Sequence, residues 1–539
     1  MSKIASYLAT HLRGEVLSSK NIRNALATDG SVLKITPILA VYPYDTSDVR
    51  KIAHFAWQLA QKGHVFPLTT RGSGASRVGA AIGSGAIISL PTHFDTIFEV
   101  DTKQKLARVQ PGVTVASLQQ TMRTHGLEWP VDVSNPASTI GGAIANNSYG
   151  EKAVKFGDTS EWVDQIEIVL SNGDTLQTGR LSKRQLSKKK GLSSSEGEIY
   201  RKLDALIEDN EAIIAGLAEK NTTAGYAIAK VKDRRGNFDL TPLIAGSQGT
   251  LGIVTEAILK LGVYHPQKEV IAVTLSTLDN IDQLISSIQK YSPDKVEYVD
   301  GPSVEQIAAD LKDILPDDDP DFKPKGLIFI ELSDIGRKAK GKASKLAKAI
   351  EKLGHQTAIS DGDTDSAGEI WQTYSRIQSA ISQEGDDHKS PVSIVEDALL
   401  PISEVVHFIE AAHELAKKHR TKLLFSAHLG TGVVNAHALL DMQNLTDRNK
   451  VTKLIEDYYE LVIKHDGGIA GEYAEGRLRA SQNSLQFTEN ELELFAKVKS
   501  VFDIHGIFNP GVKLASEKDI AKLNEDFEPG KFADNLPRL

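Results

Sequence analysis

Leu68-Thr69-Thr70-Arg71-Gly72-Ser73-Gly74-Ala75-Ser76 follows a short apolar run, Val65-Phe66-Pro67-Leu68, which reads as the end of a strand. Glycines at such a point let the backbone turn tightly and aim several N–H groups one way, making a nest that binds phosphate without a lysine. Arg71, Ser73 and Ser76 can add charged and hydroxyl donors to the same anion. A Walker loop ends in Gly-Lys-Ser/Thr, whereas Gly74 is followed by Ala75-Ser76; a Rossmann fingerprint needs G-x-G-x-x-G, whereas the glycine after Gly74 is Gly79. The stretch is therefore a phosphate loop of another kind or a plain glycine-rich turn. A second run, Thr139-Ile140-Gly141-Gly142-Ala143-Ile144-Ala145-Asn146-Asn147, favours the first reading.

Working outward, 539 residues exceed one ordinary core, so two or three domains are expected. Hydrophobic content of 40% with 25% charged residues is that of a soluble globular chain. A net charge of -9 argues against a general nucleic-acid binder. No apolar run reaches membrane-spanning length, and no long apolar region follows Met1 as in a secretory signal. The expected location is the cytoplasm, with peripheral attachment to a membrane left open. The absence of cysteine excludes disulfides, thiolate catalysis, cysteinyl iron–sulfur ligation and a cysteinyl cofactor link.

The first 34 residues read as an N-terminal helical arm. A strand over Ile35–Tyr42 carries Pro37, which places it at an edge or at a strand start. Asp48 to Gln61 reads as an amphipathic helix capped by Thr46 or Ser47. Short strands follow at Gly85–Leu90 and Ala107–Gln110, then a helix over Val115–Thr124 and a strand over Glu161–Leu170 with a hairpin at Asn172-Gly173. The basic, Ser-rich stretch Lys183–Glu196 reads as a solvated loop. A third glycine cluster, Gly246-Ser247-Gln248-Gly249-Thr250-Leu251-Gly252, precedes the apolar run Ile253-Val254. Beyond about residue 265, strands such as Val270–Leu275 and Gly326–Glu331 alternate with helices such as Ile281–Lys290 and Lys338–Leu353. Asp317-Asp318-Asp319-Pro320-Asp321 reads as an exposed acidic turn.

Three spaced glycine clusters, a glycine-poor α+β region and a late Phe508-Asn509-Pro510-Gly511 resemble the FAD-linked oxidases of the vanillyl-alcohol-oxidase type, in particular the D-lactate, glycolate and D-2-hydroxyglutarate dehydrogenase branch. The resemblance covers roughly residues 21 to 515. It implies an α+β fold. A two-subdomain FAD-binding domain would span 35–265, and a ferredoxin-like α+β substrate cap 266–499. A segment over 500–539 would return to the FAD domain. It implies that FAD lies extended with its diphosphate and ribityl chain on Thr70, Arg71, Gly72, Ser73, Gly74, Ala75 and Ser76 and on Thr139, Gly141, Gly142, Ala145 and Asn146. Asn135, Pro136 and Ile253 would flank the flavin or the adenine, and Asn509 is a further cofactor-binding candidate. The family's first loop is Arg-Gly-Gly-Gly-Thr-Ser, so Ala75 lacks a hydroxyl worth about 1 kcal/mol if it made a net hydrogen bond. Gln248 stands where the third cluster has Glu. With no histidine in the first loop and no cysteine, FAD should be non-covalent.

Oxidising a 2-hydroxy acid at a flavin needs a cation for the carboxylate, a group to take the hydroxyl proton, and the flavin N5 facing the departing C–H. By resemblance Arg376 is the carboxylate-binding arginine. Glu396-Asp397 matches a strand-end acidic pair and reads as structural. The family pattern Gly-His-x-Gly-x-Gly-x-x-His followed by Gly-Glu-His can hold a divalent metal that polarises the substrate. Here His428 supplies the first ligand, Asn435 occupies the second, and His437 lies two residues on, on the same side of a strand. Glu472 supplies the carboxylate and Tyr473 stands at the base position. Either His428, His437 and Glu472 hold Zn²⁺ or a similar ion with Tyr473 in proton transfer, or the metal site has decayed and His428 bonds to Glu472.

Larger members carry a C-terminal iron–sulfur domain; this chain reaches Leu539 without one, so a quinone, a separate electron carrier or oxygen is the expected acceptor. The leading expectation is a D-2-hydroxy-acid dehydrogenase for D-lactate, D-2-hydroxyglutarate or a similar small carboxylate. Two others stay open: a flavin oxidoreductase for another alcohol or sugar-type substrate using Tyr473, and a flavin-binding electron-transfer protein.

Overall fold

A computed structural model describes residues 3–265, 267–305, 323–334, 338–360, 364–383, 389–519 and 522. The acidic turn expected at Asp317–Asp321 lies outside them. The chain first builds a four-stranded sheet in the order Glu15–Leu17, Leu39–Tyr42, Ala86–Ser89, Leu68–Arg71. The last three strands are parallel, and their apolar runs are buried as covered parallel strands must be. Helix Thr46–Gln61 crosses over them, burying Val49, Ile52, Ala53, Ala56 and Ala60 at helical spacing. Its cap is Asp45 rather than Thr46 or Ser47: Asp45 Oδ1 accepts from the Asp48 N–H at 3.1 Å. The N-terminal arm carries helices Lys3–His11 and Lys20–Ala25, but also the strand Glu15–Leu17. That strand pairs with Leu39–Tyr42 and takes the edge expected for it.

A five-stranded antiparallel sheet follows in the order Ile97–Asp101, Leu106–Val109, Ile253–Lys260, Val163–Val169, Thr175–Gln177. Its central strand Ile253–Lys260 alternates buried and half-buried residues, the period-two signature of a strand with one core face. The stretch expected as a loop at Lys183–Glu196 instead opens with helix Lys183–Lys190. Ser182 and Gln185 form a reciprocal capping box there, and Leu186 is the apolar anchor.

The cap is one antiparallel sheet, running Gln356–Ile359, Lys268–Leu275, Gly326–Ser333, Lys295–Asp300, Leu423–His428, Val433–Leu440, Ser390–Val392. Strand alternation gives it two apolar faces. Ile271, Val273 and Leu275 pack with helices Ile281–Gln289 and Lys338–Glu351, and Val405–Lys418 and Leu445–Lys464 complete that layer. Ala272, Phe329, Val299 and Leu424 face the opposite way, onto Tyr374, Ile377 and Ile381 of helix Thr364–Gln383. The described part of the last segment returns to the first sheet. The Leu68 N–H donates to Ile507 O at 2.8 Å and the Asn509 N–H donates to Leu68 O at 2.9 Å, closing the edge from which the first glycine loop leaves.

Candidate active site

The two glycine runs meet. A Cβ at Gly72 would overlap Thr139 Oγ1, and one at Gly141 would lie 2.6 Å from Pro111 Cβ. Thr139 caps helix Ile140–Asn146, its Oγ1 accepting from the Gly142 N–H at 3.2 Å. Gly74 has φ +78°, which an L side chain rarely adopts. Together these turns wall a cleft of about 400 Å³. Its floor is backbone and small Gly, Ser, Ala and Thr side chains, a cradle that accepts a long polyanionic dinucleotide. The residues present therefore fit FAD.

Among the expected cofactor residues, Thr70, Gly72, Ser73, Gly74, Ala75, Ser76, Asn135, Pro136, Thr139, Gly141, Gly142, Ala145 and Asn146 line this cleft. Three do not. The Arg71 guanidinium folds beneath its own loop, donating to Thr28 O at 2.9 Å and Ala81 O at 3.3 Å, so it braces the turn. Ile253 is buried in the core under the first sheet, and its neighbour Val254 reaches the cleft instead. Asn509 is buried: its Nδ2 donates to Ala80 O and Gln248 O, both at 2.9 Å, and its Oδ1 accepts from Thr69 Oγ1 and Arg477 Nη2. It ties the first loop to the third glycine cluster. Gln248 ties that cluster to the second run and the cap, donating to Asn146 Oδ1 at 3.0 Å and Tyr473 O at 3.1 Å and accepting from the Gly476 N–H at 2.9 Å.

At the cap end the cleft is lined by Arg77, Ser134, Glu472 and Tyr473. Arg77 Nη1 lies 2.6 Å from Glu396 Oε1; the Glu396 side chain is 5% exposed and the Arg77 side chain, which lines the cleft, about a third exposed. Its Cζ sits 5.8 Å from the Tyr473 ring centre. Burial, with the Glu472 charge adding to it and Arg77 opposing it, pushes the Tyr473 phenol well above its ordinary value. Asp397, at φ 67°, positions this segment: its carboxylate accepts from the N–H groups of Gly471 at 3.1 Å, Glu472 at 2.5 Å and Tyr473 at 2.9 Å, and pairs with Arg479 at 2.9 Å.

Behind Glu472 lies a buried chain. Register places Glu297 directly opposite His428. His428 Nδ1 lies 2.7 Å from Glu297 Oε2 and Nε2 lies 3.2 Å from Glu472 Oε2. Tyr374 Oη also donates to Glu297 Oε2 at 2.7 Å, and Ser134 Oγ donates to Glu472 Oε1 at 2.7 Å. Burial alone would lower the imidazole's proton affinity; Glu297 and Glu472 overcome it and hold His428 well above its usual value.

The structure does not bring the other expected catalytic residues here. Arg376 is exposed, and its guanidinium donates to Thr373 Oγ1 at 3.1 Å on its own helix. His437 pairs in register with Leu424, four positions from His428 along the strand and so roughly 13 Å away. Its Nδ1 faces Ser393 Oγ at 3.2 Å and Glu396 at 3.5 Å. Asn435, opposite Ser426, accepts from the Asp397 N–H at 3.1 Å. Among the described residues no group of three or more His, Asp or Glu is arranged to hold a metal ion. The donor set of His428, His437 and Glu472 does not fit one.

This architecture, a dinucleotide cleft on paired glycine turns under an antiparallel cap, defines a flavoprotein oxidoreductase. A model of FAD binding domains matches residues 37–179, and one of the C-terminal domain of FAD linked oxidases matches residues 265–512. The glycolate oxidase subunit GlcD of Bacillus subtilis is 28% identical over 488 residues, covering 89% of this chain and 90% of that protein. The D-2-hydroxyglutarate dehydrogenase of Pseudomonas putida is 25% identical over 520 residues, covering 93% of this chain but 50% of that longer protein. A 4-ethylphenol oxidase from Gulosibacter chungangensis, in an isoeugenol complex, superposes with a TM-score of 0.66 at 15% identity over 95% of this chain and 97% of that one, which shows the fold. The chain belongs to the FAD-linked oxidases of the vanillyl-alcohol-oxidase type; it is an oxidoreductase that binds FAD. No helix among the described residues is long and apolar enough to cross a membrane.

Proposed function

We propose that this chain oxidises a D-2-hydroxy acid, such as D-lactate or D-2-hydroxyglutarate, to the 2-oxo acid. One observation carries the reading: a single guanidinium, Arg77, faces the cap end of the FAD cleft beside Tyr473 and Glu472. Among the described residues it is the only Lys or Arg lining the cleft. Bound FAD supplies the two-electron acceptor for the substrate's hydride. Arg77 presents its fork to the substrate carboxylate, a match of planar donors to planar acceptors. Glu396 holds that fork from behind. Tyr473 keeps its proton at neutral pH and serves as a hydrogen-bond donor, not a base. The relatives named for glycolate and D-2-hydroxyglutarate support the hydroxy-acid class. Non-covalent FAD and a quinone or separate carrier as acceptor belong to the same reading.

Anaerobic titration of the yellow protein with D- and L-2-hydroxy acids, simple alcohols and sugars tests this. Bleaching by a D-2-hydroxy acid is the expected result; bleaching only by an uncharged alcohol would overturn it. Arg77→Met should raise KM for the hydroxy acid roughly 10- to 100-fold, the loss of one charge-assisted pair, with FAD retained. Arg376→Ala, altering an exposed side chain, should leave KM nearly unchanged. The opposite ranking of the two variants would return the carboxylate to Arg376.

A further inference from the structure

We propose that this chain works without a metal: His428 is clamped between Glu297 and Glu472, and Glu472 accepts the substrate's hydroxyl proton. The proton assignment rests on the hydroxy-acid reading; the absence of a metal requirement does not.

Three observations carry it. Both ring nitrogens of His428 face carboxylates, Nδ1 that of Glu297 and Nε2 that of Glu472. The second ligand position is Asn435, whose Oδ1 accepts from the Asp397 backbone, and His437 is four register positions away from His428. The two carboxylates are buried. Glu297 is 0% and Glu472 1% exposed, and among the described residues Glu297 Oε1 has no hydrogen-bond partner. Two buried carboxylates with nothing between them would be costly, and His428 is the group that lies between them.

Glu472 is the only Asp or Glu among the described residues lining the cleft. Its Oε2 is taken by His428 and its Oε1 accepts from Ser134 Oγ, which leaves Oε1 a further lone-pair position. In the proposed step the substrate O–H bond breaks and its proton passes to Glu472 Oε1. The C–H electron pair leaves as hydride and the carbonyl forms, so the hydroxy acid is oxidised and the bound flavin is reduced by two electrons. His428 is a positioning residue: it fixes the Glu472 carboxylate.

The test starts with metal content of protein produced in medium supplemented with zinc, manganese, iron and cobalt. The expected result is far less than one metal per flavin, with the rate of flavin reduction unchanged after exhaustive chelation. About one metal per flavin that is lost in His428→Ala, or reduction abolished by chelator and restored by an ion, would overturn the proposal. Glu472→Gln should then slow flavin reduction by about 100-fold or more while FAD content, and the shift of the flavin spectrum by added 2-oxo product, stay as in the parent. An unchanged reduction rate in Glu472→Gln would remove it as proton acceptor. Failure of every 2-hydroxy acid to reduce the parent would sink the substrate reading and the proton assignment with it; the metal count would still decide the rest.

Discussion

Gly72→Val should yield a folded but colourless protein. Any Cβ at residue 72 overlaps Thr139 Oγ1, the atom that caps the second glycine helix through the Gly142 N–H. Thr139 cannot swing aside without releasing that cap, at a cost of about 1 kcal/mol, and Thr139 itself is buried. The other direction open to a valine is the cleft, where the dinucleotide must lie. Either response separates the two turns or fills the space between them, so the loss falls on cofactor binding while the sheets stay intact. The visible flavin absorbance per protein, FAD titration of the apoprotein and the far-ultraviolet dichroism measure this. A yellow Gly72→Val protein with native FAD affinity would show that the two turns do not share one ligand. The contrasting variant is Ala75→Thr, which restores a hydroxyl to the loop and should tighten FAD roughly fivefold, equivalent to about 1 kcal/mol.

The difference between what the chain's pattern disclosed and what it hid follows from range. Both glycine turns were legible because the information is local: a strand end, then residues that free the backbone. Thirteen residues placed on FAD from those turns and their flank line the cleft. Arg77 was not legible, although it directly follows Ser76. Its role depends on Glu396, 319 positions later, and on Tyr473. Arg376 shows how a motif match can misplace a side chain. Tyr374, Ile377 and Ile381 of its helix face the sheet, and two residues on from Tyr374 is roughly 200° around a helix. With Tyr374 inward, Arg376 must point out. The histidines show the same limit on a strand. Alternation puts His437 on the side of Asn435, but only the register of the hairpin reveals that His437 lies beside Leu424 and far from His428. Glu297 had no signal at all, because it comes to His428 from a strand 131 positions earlier.

Arg479→Met should destabilise the cap more than any cleft variant. Arg479 is 1% exposed, and its guanidinium donates to Glu396 O at 2.8 Å and Ala474 O at 2.6 Å besides pairing with Asp397. Asp397 is fully buried, and burial, helped by the Glu472 charge, already pushes its carboxyl up to about 6 against the pull of Arg479 and the backbone amides of Tyr473 and Gly471. Methionine fills much of the volume but leaves a buried carboxylate without its counter-charge and the Ala474 carbonyl without its donor, while Glu396 O keeps the Tyr459 hydroxyl. Breaking one side of such a pair costs about 3–5 kcal/mol, which should lower the cap's thermal midpoint by on the order of 10 °C. The damage should also reach the site. Asp397 holds the N–H groups of Gly471, Glu472 and Tyr473, so a carboxylate that protonates or turns away frees the segment carrying both cleft residues. Flavin reduction should therefore slow even at temperatures where the variant is folded. Asp397→Asn in the Arg479→Met background separates the causes: removing the orphaned charge should recover part of the lost stability, while the slowed reduction persists because one amide-accepting oxygen is gone. A midpoint unchanged in Arg479→Met would mean that the buried pair is not what anchors the Gly471–Tyr473 turn.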